Sequence, residues 1–152
     1  MKTLDELAEA IHRISTSKGF TAPNMDNLPE KLMLSVSELA ECMEEHRKGR
    51  GLRYYTAKRD GEDIPVHMGP DGHWYYVGGG SRVPPGALKP EGILPELADS
   101  IIRDLHMMFS LIEDWNNDVS PDDAFPDTVA GVIEEKVAFN EGRPLMHGGN
   151  AY

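Results

Sequence analysis

The stretch PELADSIIRDLHMMFSLIEDW, residues 95–115, decides the fold. Pro95 suits the first turn of a helix, where its missing N–H would have no intrahelical partner anyway. Behind it Leu97, Ala98, Ile101, Ile102, Leu105, Met108, Phe109 and Ile112 recur at helical spacing and cover roughly half the circumference, more than a surface helix needs. The pattern predicts a helix to about Trp115, central in the protein and its most buried element. Working outward, Leu4, Leu7, Ala8, Ile11 and Ile14 predict a first helix over residues 3–17, with Thr3 and Glu6 placed for a capping box. A second is expected from Pro29 to Gly49, with the apolar stripe Leu32, Val36, Leu39, Ala40 and Met43 and a basic end at His46, Arg47 and Lys48. Ser120-Pro121-Asp122-Asp123 is another start signal, interrupted by Pro126. A fourth helix is expected over residues 127–141, stopped by Gly142 and Pro144.

Between the second and third helices the helical pattern is suspended. Residues 49–95 hold ten of the 15 glycines and six of the 11 prolines. Short β-like runs, residues 53–58, 64–68 and 73–77, are separated by the turn sequences Arg59-Asp60-Gly61-Glu62 and Gly69-Pro70-Asp71-Gly72. The expected fold is therefore all-α: a helical bundle of about four helices with a small β-hairpin or three-stranded meander inserted at residues 50–94. The insertion reads as too short to own a core, so residues 1–152 are expected to form a single domain. Gly78-Gly79-Gly80 lacks the strand–loop–helix setting and Lys of a phosphate loop and reads as flexible connection. Trp74, Tyr75, Tyr76, Tyr54 and Tyr55 suit either packing of a small sheet or stacking on a base.

The chain is acidic, with 15 Lys plus Arg against 26 Asp plus Glu and a net charge of −11. That argues against nucleic acid or an anionic membrane as partner, since both demand basic surface. Cys42 is the single cysteine, which suits a reducing compartment. No apolar run approaches the roughly 18 residues of a membrane helix, and the start Met1-Lys2-Thr3-Leu4-Asp5-Glu6 lacks a signal-peptide core. A cytoplasmic location is expected. The histidines form no HExxH.

Carboxylates carry the chemistry. Glu38 and Glu41 lie three apart on one face of the second helix, with Glu45 on the same face; Glu96 and Asp99 repeat the spacing in the first turn of the third. Two such pairs on packed helices can converge on one or two divalent cations, and hard oxygen ligands suit magnesium, with manganese as a substitute. A metal there can screen a polyphosphate and lower the pKa of an attacking water. The same residues also fit a solvated helix face opposite the apolar stripe, with ordinary dipole compensation at Glu96 and Asp99. On the fourth helix, Lys136, Asn140 and Arg143 continue at i, i+4, i+7 the stripe of Val129, Val132 and Ile133. A stripe that turns from apolar to cationic and amide breaks binary patterning and supplies what a polyphosphate needs.

Glu38-Leu39-Ala40-Glu41 followed by Glu96-Leu97-Ala98-Asp99 resembles the ExxE and ExxD signature of the MazG-like all-α nucleoside triphosphate pyrophosphohydrolases. Lys136, Asn140, Arg143 and Pro144, then His147-Gly148-Gly149, resemble the ending of small members, as does Lys89-Pro90-Glu91-Gly92 before the third helix. The resemblance covers residues 28–49 and 89–149. It implies that Glu38, Glu41, Glu96 and Asp99 hold magnesium, that Lys136, Asn140 and Arg143 face the phosphates, and that Glu41 orients or deprotonates the water. It implies hydrolysis between the α- and β-phosphates to a nucleoside monophosphate and pyrophosphate, in a homodimer or homotetramer. Ser37 stands where some members carry a further Glu, and the spacer between the acidic pairs is long. His147 with its two glycines suits either reaching a neighbouring subunit's site or a disordered or merely packed tail. Two other readings stay open: a non-catalytic acidic helical binding protein, and a pyrophosphohydrolase acting on another nucleotide such as a phosphoribosyl nucleotide.

Overall fold

The computed structural model describes residues 1–118 and 128–143. The start signal at residues 120–123, Pro126, Pro144 and His147-Gly148-Gly149 lie outside the described residues. Among those described, four helices and four strands follow in the order α1 (Leu4–Ser17), α2 (Leu28–Arg47), β1 (Tyr54–Arg59), β2 (Glu62–Met68), β3 (Trp74–Tyr76), β4 (Leu88–Glu91), α3 (Ile93–Asp118) and α4 (Val129–Glu141). They divide into two compact units, Met1–Met33 with the chain from Ile102 onward, and Leu34–Ile101.

In the first unit, the Thr3 hydroxyl accepts from the Glu6 N–H while Glu6 accepts from the Thr3 N–H, the reciprocal cap expected for α1. Ala8 and Ile11 of α1 pack with Leu105 of α3 and Val129 of α4, and Met108, Phe109, Ile112 and Ile133 close around them. Asp5 accepts from the Ala130 N–H at 2.9 Å, satisfying one of the open donors of the α4 N-terminus. His12 shares a hydrogen bond with Ser110 at 2.9 Å, and its ring meets His106 edge-on.

The second unit overturns the all-α expectation. Its strands form one antiparallel sheet in the order β3-β2-β1-β4. The first turn is as the sequence predicts: Asp60 and Gly61 both take positive φ (54° and 88°), the primed hairpin geometry that matches strand twist. The fourth strand, β4, lies outside the three expected β-like runs. It pairs with β1 over Tyr54↔Glu91 to Ala57↔Leu88, and Pro90 is tolerated because β4 is an edge. The sheet also owns a core, contrary to the reading of a core-less insertion. Ala57 (0% exposed), Tyr76 (5%) and Val83 are buried, with Ile64, Val66, Trp74, Ala87 and Leu88 packed on them. Trp74 and Tyr76 thus serve packing, and Tyr55 lies 4.9 Å from the Trp74 ring. Residues 78–80 reverse the chain. Gly78 and Gly80 take positive φ, and the chain folds back so that the Val83 N–H donates to the Trp74 carbonyl at 2.8 Å.

Helix α3 is not buried throughout. Leu105 and Met107 are covered, whereas Leu97, Ile101 (57% exposed) and Ile102 are open, as are Val36 (51%), Leu39 and Met43 of α2. The apolar arc of α3 is wider than the described residues cover.

Candidate metal centre

Glu38, Glu41 and Glu96 each present a carboxylate oxygen, and the three oxygens lie within 4.8 Å of one another. Glu38 is buried, Glu96 half-buried and Glu41 exposed. All three belong to the second unit, and three local features bring them together. First, Glu38 and Glu41 stand one helical turn apart, so they share a face of α2. Second, the Ser35 and Ser100 hydroxyls, both buried, meet at 3.1 Å. They bind α2 to α3 about one turn from the acidic residues on each helix, and their small size lets the backbones approach. Third, the start of α3 is fixed against the chain after α2. Gly92 takes φ 111°, a Cβ there would meet the Gly51 carbonyl oxygen at 2.7 Å, and the Leu94 N–H donates to the Leu52 carbonyl at 2.9 Å. Glu96 follows within one turn of that junction.

The electrostatics are those of like charges held together. The Glu96 carboxyl is pushed above its ordinary range, first by burial and then by the charges of Glu41, Asp99, Glu38 and Glu91. A divalent cation relieves that repulsion. Three carboxylate oxygens this close are hard donors of the kind that could hold a divalent cation such as magnesium or manganese. Asp99 lies outside the trio; it is exposed on α3, and its charge acts on Glu96. Glu45 faces a different task. It is buried, accepts from Tyr54 at 2.9 Å and pairs with Arg50 at 3.0 Å. The turn at Gly49 (φ 64°) brings Arg50 back to it, its N–H donating to the Glu45 carbonyl.

Lys136, Asn140 and Arg143 lie in the first unit, all exposed. Val129 and Ile133 of their stripe pack into the core, and the stripe then emerges into solvent. The Lys136 ammonium lies 5.0 Å and the Arg143 guanidinium 6.0 Å from the centre of the Phe139 ring. In the trio's own unit, Lys89 is a cation on which the charge of Glu96 acts. Lys89 pairs with Glu91 at 2.8 Å. Its ammonium is held above its ordinary range first by that hydrogen bond, then by burial-opposed attraction to Glu91, Asp63 and Glu96. Strand alternation was the available signal, since residues 89 and 91 share one face of β4.

Comparison with protein families, curated proteins and solved structures finds no match for this chain. Among the described residues no helix is long and apolar enough to cross a membrane.

Proposed function

We propose that the protein is a cytoplasmic, divalent-metal-dependent nucleotide pyrophosphohydrolase of the MazG-like kind, cleaving between the α- and β-phosphates of a nucleoside triphosphate. The observation that carries this reading is the convergence of Glu38, Glu41 and Glu96 within 4.8 Å. Those residues, with Asp99 beside them, would hold magnesium. When bound, magnesium supplies charge neutralisation for the phosphates and acidifies water.

The chain's own residues then have distinct tasks. Glu38, buried, fixes the site against the helix pair, whereas Glu41, exposed, is open to solvent and suits orienting or deprotonating a water. Lys136, Asn140 and Arg143 are assigned to the phosphates by their chemistry, all three being donors. The open apolar faces, Val36, Leu39 and Met43 on α2 and Leu97 and Ile101 on α3, favour a homodimer or homotetramer that covers them.

The test is pyrophosphate release from a panel of ribo- and deoxyribonucleoside triphosphates, with magnesium and with EDTA. Metal-dependent release with a monophosphate product is expected, lost in Glu41→Gln and Asp99→Asn with the circular dichroism spectrum retained. Equal release by the folded variants would sink the assignment.

A further inference from the structure

Beside the carboxylate trio, the same unit contains a second polar site. Antiparallel register places Tyr54, Thr56 and Lys58 of β1 on one face of the sheet. Their cross-strand partners there are Pro65 and Asp63 of β2 and Lys89 and Glu91 of β4. The opposite face carries Ala57, Ile64 and Leu88 and packs on the sheet core. Lys58, Asp63, Pro65 and Lys89 are exposed, and the face carries an open cleft. Arg50, Tyr54, Thr56, Asp63, Pro65 and Glu91 line a cleft of about 500 Å³, and Thr56 is only 6% exposed.

The charges in this cleft are already matched. Arg50 is held by Glu45 and by the Tyr54 hydroxyl at 2.7 Å, Asp63 faces Lys58 at 3.4 Å, and Glu91 takes Lys89 at 2.8 Å and the Thr56 hydroxyl at 3.3 Å. A phosphate entering here would meet two carboxylates and no uncommitted cation among these side chains. A neutral group rich in hydroxyl donors fits better, because Asp63 and Glu91 retain lone pairs and a carboxylate accepts up to about four hydrogen bonds. The cleft also adjoins the trio: Glu91 lines it, stands five residues before Glu96, and its charge acts on the Glu96 carboxyl.

We propose that this cleft receives the nucleoside end of the nucleotide, with Asp63 and Glu91 accepting hydrogen bonds from the sugar hydroxyls. The inference rests on the pyrophosphohydrolase reading for the identity of the ligand, but its first test, direct binding, does not rest on turnover. The sheet is then the specificity element of the enzyme, and the sugar is read by carboxylates held in place by Lys58, Lys89 and Thr56.

The experiment is a titration of the full chain, in EDTA, with ribonucleosides and with their deoxy counterparts, followed by amide proton–nitrogen correlation spectra. Shifts at Gly51, Tyr54, Thr56 and Asp63 are expected, with weaker binding of the deoxy compounds. A hydrogen bond to a charged acceptor is worth about tenfold in affinity or more, so Asp63→Asn should weaken ribonucleoside binding by about that factor. Its Lys58 pair is exposed, so this variant is expected to fold. In turnover, Asp63→Asn and Thr56→Val should raise KM with little change in kcat. Nucleoside shifts confined to residues outside the cleft, no shifts at any residue, or an unchanged KM in both variants would overturn the proposal. Shifts at the cleft in a protein that hydrolyses no nucleotide would instead remove the catalytic reading and leave the binding site standing.

Discussion

Replacing Glu96 by Gln should stabilise the metal-free protein and blunt its response to a divalent cation. The carboxylate oxygens of Glu38, Glu41 and Glu96 lie within 4.8 Å of one another. Two unit charges at such a separation repel by about 1 kcal/mol in water and about 3.5 kcal/mol at an effective dielectric near 20. Glu96 is half-buried and Glu41 exposed, so solvent screening places the gain toward the lower figure. Uncharged Gln keeps the shape of the side chain and removes the repulsion with two neighbours. A gain of about 1 kcal/mol in EDTA is therefore expected. With manganese in about 100-fold excess over its Kd, the wild-type chain gains about 2.7 kcal/mol, or about 5 to 11 °C in Tm for a chain of this size. Losing one of three carboxylate ligands and weakening binding about tenfold would cut that gain to about 1.4 kcal/mol. Thermal melts in EDTA and in manganese, with calorimetric titration of the metal, measure both quantities. An acidic face that only solvates its helices predicts otherwise: a change below about 0.5 kcal/mol and no metal effect in either protein. Equal manganese shifts in the two proteins, or a Gln variant less stable in EDTA, would refute the reasoning.

Three further outcomes are expected. Gly92→Ala places a Cβ 2.7 Å from the Gly51 carbonyl oxygen at φ 111°, so urea denaturation should show a loss of about 1 to 3 kcal/mol, together with weaker metal binding; an unchanged midpoint would mean that the junction does not set the site. His106 is held below its ordinary pKa by burial, with the charges of His12 and Lys31 adding to the effect. Between that depressed value and its unfolded value near 6.5 the unfolded chain binds more protons, so stability should fall as pH drops through this window. His106→Leu should flatten this acid limb in melts recorded from neutral pH down to about pH 5, and an identical slope would assign it to other groups. Val36→Lys and Ile101→Lys put charge on open apolar faces of α2 and α3, so light scattering should show the assembly reduced to the 16.9 kDa chain; a wild-type protein already at that mass would remove the oligomer.

Much of this was legible from periodicity. The four helices fall where apolar spacing and end signals place them, because the Thr3 side-chain cap and the positive-φ turn at Gly49 act locally in sequence. The acidic pairs were legible for the same reason, since three-residue spacing puts Glu38 and Glu41 on one face whatever surrounds them. The sheet was legible only in part. Three runs alternate clearly, but Leu88-Lys89-Pro90-Glu91 is short, contains a proline and becomes a strand through its pairing with β1, some 35 residues away in sequence. Its addition extends the sheet to four strands, and Leu88 packs against the core of Ala57, Tyr76 and Val83. The Ser35–Ser100 contact was not legible, since serine at either position alone reads as ordinary helix surface. The apolar width of α3 was read correctly, but burial does not follow from it: arc width records how much surface must be covered, not by which chain.

The sign of the charges orders the chemistry of the two sites. The trio is anionic and so is a polyphosphate, so the two cannot meet until a cation stands between them. Binding at the phosphate end should therefore depend on metal and weaken with chelation. The cleft follows a different rule. Asp63 and Glu91 face Lys58 and Lys89, and Glu45 faces Arg50, so its net field is small and a neutral nucleoside pays no Coulomb penalty on entry. On the proposed reading, one end of a nucleotide would be gated by the cation and the other read without it. That separation has a consequence for assembly of the complex: a nucleoside held in the cleft raises the effective concentration of its phosphates at the trio. Affinity for the cation and affinity for the nucleotide must then be coupled, and linkage requires each to raise the other by the same factor. A solvated acidic face cannot produce this coupling, because it holds no cation for the phosphates to share.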